Sequence, residues 1–296
     1  MKFIIEKNNQ GLKIKDFLKK NQVSSALIRK LKKSSDGILV NGSHQNVIYK
    51  LVEGDILEIN YKDEVEDVNA YLEPVNIPIE IIYEDENITV VNKPANMPTH
   101  ESLNNRGNTL ANALRFRYKE LPYVFRATNR LDKDTSGVVL TANNQYYSAL
   151  LSNKIKNGKI SKEYIAIVKG KLNGKGVIEA NIDRVGQSII KREVRSDGEY
   201  ALTEYEPLLS CDDISVILVK PKTGRTHQIR VHMAHIGHPI VGDVLYGEES
   251  CFISRQALHC YKMDVEDVGC FVAPISSDMV ALIRRYFNEE DFQENI

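Results

Sequence analysis

The sequence predicts an α+β protein in two unequal parts. Three observations carry that expectation. The chain has 296 residues, more than the roughly 100–200 of a typical domain. An acidic stretch over residues 61–78, with Pro74 and Pro78 near its end, reads as a linker between a short first part and a longer second one. In the second part, strand-like and helix-like stretches mix without a regular βαβ repeat, which favours an α+β sheet over a doubly wound parallel one. The expected division is 1–60, linker 61–78, and 79–296.

Within residues 1–60, Leu12, Ile14, Phe17 and Leu18 recur at helical spacing, and Ser24-Ser25 offers an N-cap to a second helix carrying Ala26, Leu27 and Leu31. Arg29, Lys30, Lys32 and Lys33 give that helix a basic face. Gly37-Ile38-Leu39-Val40 reads as a strand. Asn41-Gly42 then forms a turn because both residues tolerate positive φ. Gly54-Asp55 precedes a further strand at 56–59. In the longer part, strands are expected at 79–83, 88–92, 137–142, 163–168, 200–206 and 214–219. Helices are expected near 108–118, 144–155, 226–236 and 278–287, with Gly237 as a C-cap.

Composition removes several classes of function. Hydrophobic residues make up 42% and charged residues 27%, which excludes a disordered chain. There is no apolar run of about 18 residues, so no membrane helix is expected. The first residues, Met1 to Lys7, return to charge too early for a signal peptide. Cys211, Cys251, Cys260 and Cys270 lie far apart without a Cys-x-x-Cys pair, which argues against structural zinc and a disulfide framework and for a reducing cytoplasm. The 39 Lys+Arg balance 40 Asp+Glu, but unevenly. Residues 1–60 hold eleven Lys/Arg and six Asp/Glu, a net of +5, whereas 61–90 hold one Lys and nine acids, a net of −8. A basic first part suits a nucleic-acid partner, and a solvated lysine surface explains it equally well.

No phosphate-cradling glycine motif and no zinc-deaminase motif occurs. His227, His232, His235 and His238 cluster, which raises a metal-dependent hydrolase as one reading. However, His227 and His232 are five apart, about 140° around a helix. The only acid near them is Asp243. No metal is expected.

Two segments concentrate chemistry. In Asn129-Arg130-Leu131-Asp132-Lys133-Asp134-Thr135-Ser136-Gly137, a carboxylate sits on a loop that a buried strand then anchors. In Lys220-Pro221-Lys222-Thr223-Gly224-Arg225-Thr226-His227-Gln228-Ile229-Arg230-Val231-His232, a Thr-Gly turn leads into a helix that Thr226 can cap. That helix N-terminus, with Arg225 beside it, can receive a phosphate or a carboxylate.

These segments resemble motifs of the RluA-type pseudouridine synthases. Asn129–Leu140 is similar to H-R-L-D-x-x-T-S-G-[LV]-[LV], and Lys220–His232 to [KR]-P-x-T-G-R-T-H-Q-[IL]-R-V-H. Asn92–His100, Ser161–Gly170, Gly237–Gly247 and Arg255–His259 extend the resemblance to six ordered motifs over about 170 residues. Asn129 replaces a usual His and Asn96 a usual Gly. In the first part, Ile28–Leu31, Ile38–Gly42 and Val52–Leu57 resemble an S4-type RNA-binding domain.

The resemblance implies a catalytic domain with a large, mixed, mostly antiparallel sheet. It also implies isomerisation of uridine to pseudouridine in structured RNA without a cofactor. Asp132 would be the essential carboxylate and Arg225 its charge partner. Tyr164 would pack on the flipped base and assist deprotonation at C5. Arg130 would fill the gap left by the base or bind its phosphate, and Leu258 would pack against the base. Arg29, Lys30 and Lys33 would grip RNA backbone. Ribosomal RNA, of the large subunit, is the favoured partner and transfer RNA the alternative. No membrane partner is expected, and the chain is expected to be a monomer. A catalytically silent RNA-binding or ribosome-assembly factor is the rival reading; it predicts loss of Asp132, Tyr164 or Arg225, and all three are present.

Overall fold

A computed structural model describes residues 1–60, 72–102, 105–186, 188, 190–288 and 291. Most of the expected acidic linker, residues 61–71, lies outside the described residues.

The first sixty residues form a four-stranded antiparallel sheet. Its strands are β1 (Lys2–Ile4), β2 (Ile38–Val40), β3 (Ser43–His44) and β4 (Ile56–Ile59), in the order β1-β4-β2-β3. Helices α1 (Ile14–Lys20) and α2 (Ser25–Leu31) join it. Ser24 caps α2 by accepting from the Leu27 N–H at 3.1 Å. Asn41 and Gly42 both take positive φ, +52° and +77°, as the turn requires. The apolar residues that recur along the two helices, Ile14, Leu18, Leu27 and Leu31, meet Leu57 and Ile59 in a core of their own. Tyr146 from the following part is also buried there, and its hydroxyl donates to the Asn21 carbonyl at 3.0 Å.

The longer part is built on a nine-stranded sheet. It comprises β5 (Glu80–Glu84), β6 (Ile88–Lys93), β7 (Ser136–Ala142), β8 (Ile160–Lys169), β9 (Gly176–Glu179), β12 (Leu202–Ser210), β13 (Ile214–Pro221), β14 (Leu258–Val265) and β15 (Gly269–Val272). The order is β5-β6-β7-β14-β8-β13-β12-β9, with β15 added to β14. Among the described residues, only β7 and β14 run parallel, and the other pairs of this sheet are antiparallel. A separate hairpin pairs β10 (Ile182–Arg184) with β11 (Arg192–Val194). Helices α3 (Leu110–Arg117), α4 (Gln145–Lys156), α5 (Gln228–His235) and α6 (Ser277–Arg284) fall within two or three residues of their expected positions. Strands β9 to β11, β14 and β15 were not anticipated. In β14 a register shift between Cys260 and Lys262 breaks the alternation by which a strand is recognised.

The β7–β14 contact positions everything else. Every residue of β7 is buried, so it reads as a continuous apolar run rather than an alternating one. Gly137 adopts φ +113°, and a Cβ there would lie 2.2 Å from the Cys260 carbonyl oxygen. Only glycine lets β14 approach this closely, which is the physical reason for Gly137 in the Thr-Ser-Gly turn. Beside it, His259 is fully buried, with Nδ1 2.9 Å from Ser136 Oγ and Nε2 3.3 Å from the Ala273 carbonyl.

Burial pushes the His259 pKa down from 6.5 to about 4; the Ala273 carbonyl partly opposes this. The unfolded chain therefore takes up a proton at this site that the folded chain refuses. Stability should fall as pH drops from 6.5 toward 4, by at most about 3 kcal/mol from this group. Burial shifts His227 and His232 in the same direction. Urea unfolding across that window should show a shallower loss for His259→Asn than for the wild type. An equal slope would assign the acid lability elsewhere.

Candidate active site

Asp132 sits in the turn that enters β7, where the Thr135 N–H donates to the Asp132 carbonyl at 3.1 Å. Its neighbours are pinned on both sides. The Leu131 N–H and carbonyl both bond the Thr99 hydroxyl, at 3.3 and 3.1 Å. The Lys133 carbonyl accepts from the Met97 N–H at 3.1 Å and from Lys93 Nζ at 3.1 Å. Lys93 is fully buried, and its Nζ also donates to the Pro94 and Met97 carbonyls at 2.8 and 2.7 Å. Burial lowers its pKa to about 7, against the pull of Asp134 and Asp132. Three carbonyls match the three N–H donors of an ammonium, whereas a neutral amine would have one donor too few. Arg255 adds a third tie, from Nη1 to the Asp134 carbonyl at 3.1 Å, while its Nε and Nη2 hold Asp278 on α6 at 2.7 and 2.9 Å.

The two residues that depart from the family's pattern keep this loop geometry. Asn96 takes φ +59°, close to the left-handed conformation that glycine would supply. Asn129 spans two residues of β7, donating to the Val138 carbonyl and accepting from the Leu140 N–H, both at 3.0 Å.

The charge partner of Asp132 is Arg230. Its Nη1 donates to Asp132 Oδ2 at 2.9 Å, while Nε and Nη2 grip Asp243 at 2.7 and 2.8 Å. Burial works against the Arg230 charge, but its bonds to Asp243 and Asp132 more than compensate, and its pKa is raised. This corrects the expected pairing of Arg225 with Asp132. Arg225 instead pairs with Glu199, and its Nε donates to the Tyr200 carbonyl at 3.0 Å. The reason is register: α5 begins at Gln228, so Arg225 lies before the helix, whereas Arg230 lies on its buried first turns. The N-cap is His227, not Thr226, and it adopts φ +57° without a side-chain cap bond. Gln228 organises the preceding turn instead, accepting from the Thr223 hydroxyl at 2.7 Å and the Arg225 N–H at 3.0 Å.

A cavity of about 780 Å³ opens at this carboxylate, within the usual range for a ligand site. Asp132, Tyr164, Arg225 and Leu258 line it, as do Arg130 and the unanticipated His227 and Arg230. Arg130 is exposed, and Leu258 is buried at the start of β14. Tyr164, on β8, has its pKa raised well above 10, first by burial and then by the adjacent Cys260 and Asp132. It stays a phenol, able to stack and donate, so it offers no resting phenolate as a base. Arg29 and Lys30 on α2, and Lys33 just beyond it, lie outside the cavity.

His232 and His238 serve local structure. His232 bonds Thr203 Oγ1 and the Ala180 carbonyl, both at 2.9 Å, and His238 bonds the Lys169 carbonyl at 2.8 Å. Among the described residues, no group of three or more His, Cys, Asp or Glu could hold a metal ion.

Arg230 and Lys93 were not singled out in the sequence because a charged residue ordinarily marks a surface. The one signal in the sequence was Asp243, an acid in a Gly-Asp turn close to the basic helix segment.

A family model described as RNA pseudouridylate synthase matches residues 87–235. An uncharacterised RNA pseudouridine synthase of Bacillus subtilis is 35% identical over 281 residues, covering 92% of this chain and 98% of the relative. A ribosomal large subunit pseudouridine synthase D of Borreliella burgdorferi is 37% identical over 253 residues, covering 80% and 77%. The solved structure of human RNA pseudouridylate synthase domain containing 1 aligns with a TM-score of 0.56 at 26% identity, over 77% of this chain and 98% of that one.

Arg230→Met should destabilise the protein by about 3–5 kcal/mol, because it strands the fully buried Asp243 carboxylate. Arg225→Met should cost less than about 1 kcal/mol, since both partners in its pair are substantially exposed. Denaturant unfolding of the two variants side by side checks the assignment, and equal losses would contradict it.

Proposed function

We propose, since this chain belongs to the RNA pseudouridylate synthase family, that it modifies large-subunit ribosomal RNA with Asp132 as its catalytic carboxylate. That the chain is an RNA pseudouridine synthase follows from the family match and the named relatives. The ribosomal target is supported by several relatives at about 35% identity named for the ribosomal large subunit. The observation that carries the catalytic assignment is the position of Asp132. It is a partly exposed carboxylate, fixed through one oxygen by Arg230, at the wall of a cavity that also holds Tyr164 and Leu258.

The reaction breaks the N1–C1′ bond of uridine, turns the ring and forms a C5–C1′ bond. The proton lost from C5 is balanced by one gained at N1. Atoms and electrons are conserved, so no redox partner is required. The carboxylate can act as nucleophile or base. Tyr164 and Leu258 supply apolar surface for a base held out of its stack. Arg130, exposed beside Asp132, suits the phosphate contacts that offset the few kcal/mol of extrusion. Residues 1–60 act as an S4-type RNA-binding domain, gripping phosphate through Arg29, Lys30 and Lys33 without reading sequence.

Two outcomes are expected. Asp132→Asn, nearly isosteric, should keep the fold and RNA binding but abolish turnover in a tritium-release assay on C5-labelled RNA; near-normal activity would remove Asp132 from the chemistry. Mapping pseudouridines across total RNA with and without the gene should show the missing sites in large-subunit RNA, and losses confined to transfer RNA would redirect the target.

Deleting residues 1–60 should weaken binding to long structured RNA and flatten its salt dependence, by about 0.7–0.9 in log–log slope for each phosphate no longer neutralised. The Tyr146→Ser change should accompany the deletion, to avoid exposing a ring now seated in that domain's core. A folded truncation with unchanged affinity and slope would rule out the anchoring role.

A further inference from the structure

His227 stands in a conformation uncommon for a residue other than glycine. Its φ of +57° and ψ of +18° place it in the left-handed region, which costs a non-glycine residue about 1–2 kcal/mol. Asparagine or glycine would sit there more easily. A strained backbone kept at the edge of a site calls for a functional account of the side chain.

The side chain is held at one ring nitrogen and faces Asp132 with the other. Its Nδ1 lies 2.8 Å from the Tyr246 hydroxyl oxygen. That oxygen already accepts from the Arg192 N–H at 2.9 Å. The Tyr246 hydroxyl is then best placed to donate its proton to His227 Nδ1, making Nδ1 the acceptor and putting the ring hydrogen on Nε2. Nε2 faces Asp132 Oδ2 at 3.7 Å. The guanidinium of Arg230 lies over the Tyr246 ring, 5.1 Å from its centroid, so one tyrosine buttresses both groups that face Asp132 Oδ2. Among the described residues, no hydrogen bond reaches Asp132 Oδ1, whereas Oδ2 accepts from Arg230.

We propose that His227 is a positioning residue for pseudouridine formation, its Nε2–H acting with Arg230 to hold Asp132 Oδ2 so that Oδ1 is the reacting oxygen. The proposal rests on Asp132 being the catalytic carboxylate. At 3.7 Å the separation exceeds hydrogen-bond range, and it closes when RNA fills the cavity, as catalytic contacts in empty sites commonly do. The charged groups around the imidazole are Asp132, Arg230, Asp243 and Arg192, and burial holds the ring below its usual pKa, so it is a neutral donor at pH 7.

The test compares His227→Asn and His227→Gln, with Asp132→Asn run alongside. Asparagine tolerates the left-handed backbone and can keep the Tyr246 bond, but its amide stops at the Nδ1 position. Glutamine carries an N–H donor out to the Nε2 position. His227→Asn should lower kcat by about 10- to 100-fold, with KM and the unfolding midpoint unchanged, and His227→Gln should recover most of that loss. A wild-type kcat for His227→Asn, a loss confined to KM, or a glutamine variant as slow as the asparagine one would each overturn the positioning role. If Asp132→Asn itself turns over normally, the catalytic assignment has failed. If it is dead while His227→Asn is unimpaired, only the role of His227 has failed.

Discussion

The site depends on one buried cation that must satisfy two carboxylates. Arg230 is almost wholly buried, and so is Asp243, the partner that grips it bidentately. A guanidinium out of water is tolerable only when its donors are occupied. Asp243 occupies two of them, and Nη1 turns to Asp132. The need to neutralise a buried charge thus fixes a carboxylate, Asp132, that lines the cavity beside it. Arginine suits this position better than lysine, because its planar fork reaches two acceptors in set directions.

A second set of constraints holds the loop that carries Asp132. Its flanking backbone is tied to Thr99, Met97 and Lys93 on one side and to Arg255 on the other. These ties come from the segment after β6 and the segment before β14. Those strands flank β7, so the loop inherits the rigidity of the sheet. The contact between β7 and β14 in turn requires Gly137, whose missing Cβ makes room for the Cys260 backbone. A chain of local necessities thus runs from a glycine to the orientation of a carboxylate, which is the pre-organisation a catalytic group needs.

The two parts of the chain are not joined by residues 61–78 alone. Tyr146 on α4 is buried in the core of the first sixty residues, and Asn153, also on α4, donates to Gln22 Oε1 at 3.0 Å. The helix that follows β7 therefore fixes the basic face of α2 relative to the sheet.

The sequence by itself determined what depends on near neighbours. Periodicity placed α1 to α6 and most of the long strands. Ser24 and Asn41-Gly42 announced their cap and turn, because capping and positive φ are decided within a few residues. The ordered motifs identified Asp132, and with Tyr164, Arg225, Arg130 and Leu258 they marked residues that do line one cavity. Tertiary structure alone decided which arginine meets the carboxylate. Arg225 and Arg230 are five residues apart in one motif, and nothing local distinguishes a guanidinium that will face Glu199 from one that will be buried against Asp243. The same holds for Lys93, an ordinary surface residue by composition, which is fully buried because three backbone carbonyls converge on it from two separate segments. Each of these buried charges also has a partner distant in sequence, 98 residues away for Asp132 and Arg230 and 40 for Lys93 and the Lys133 carbonyl, and such partners meet only once the sheet has formed.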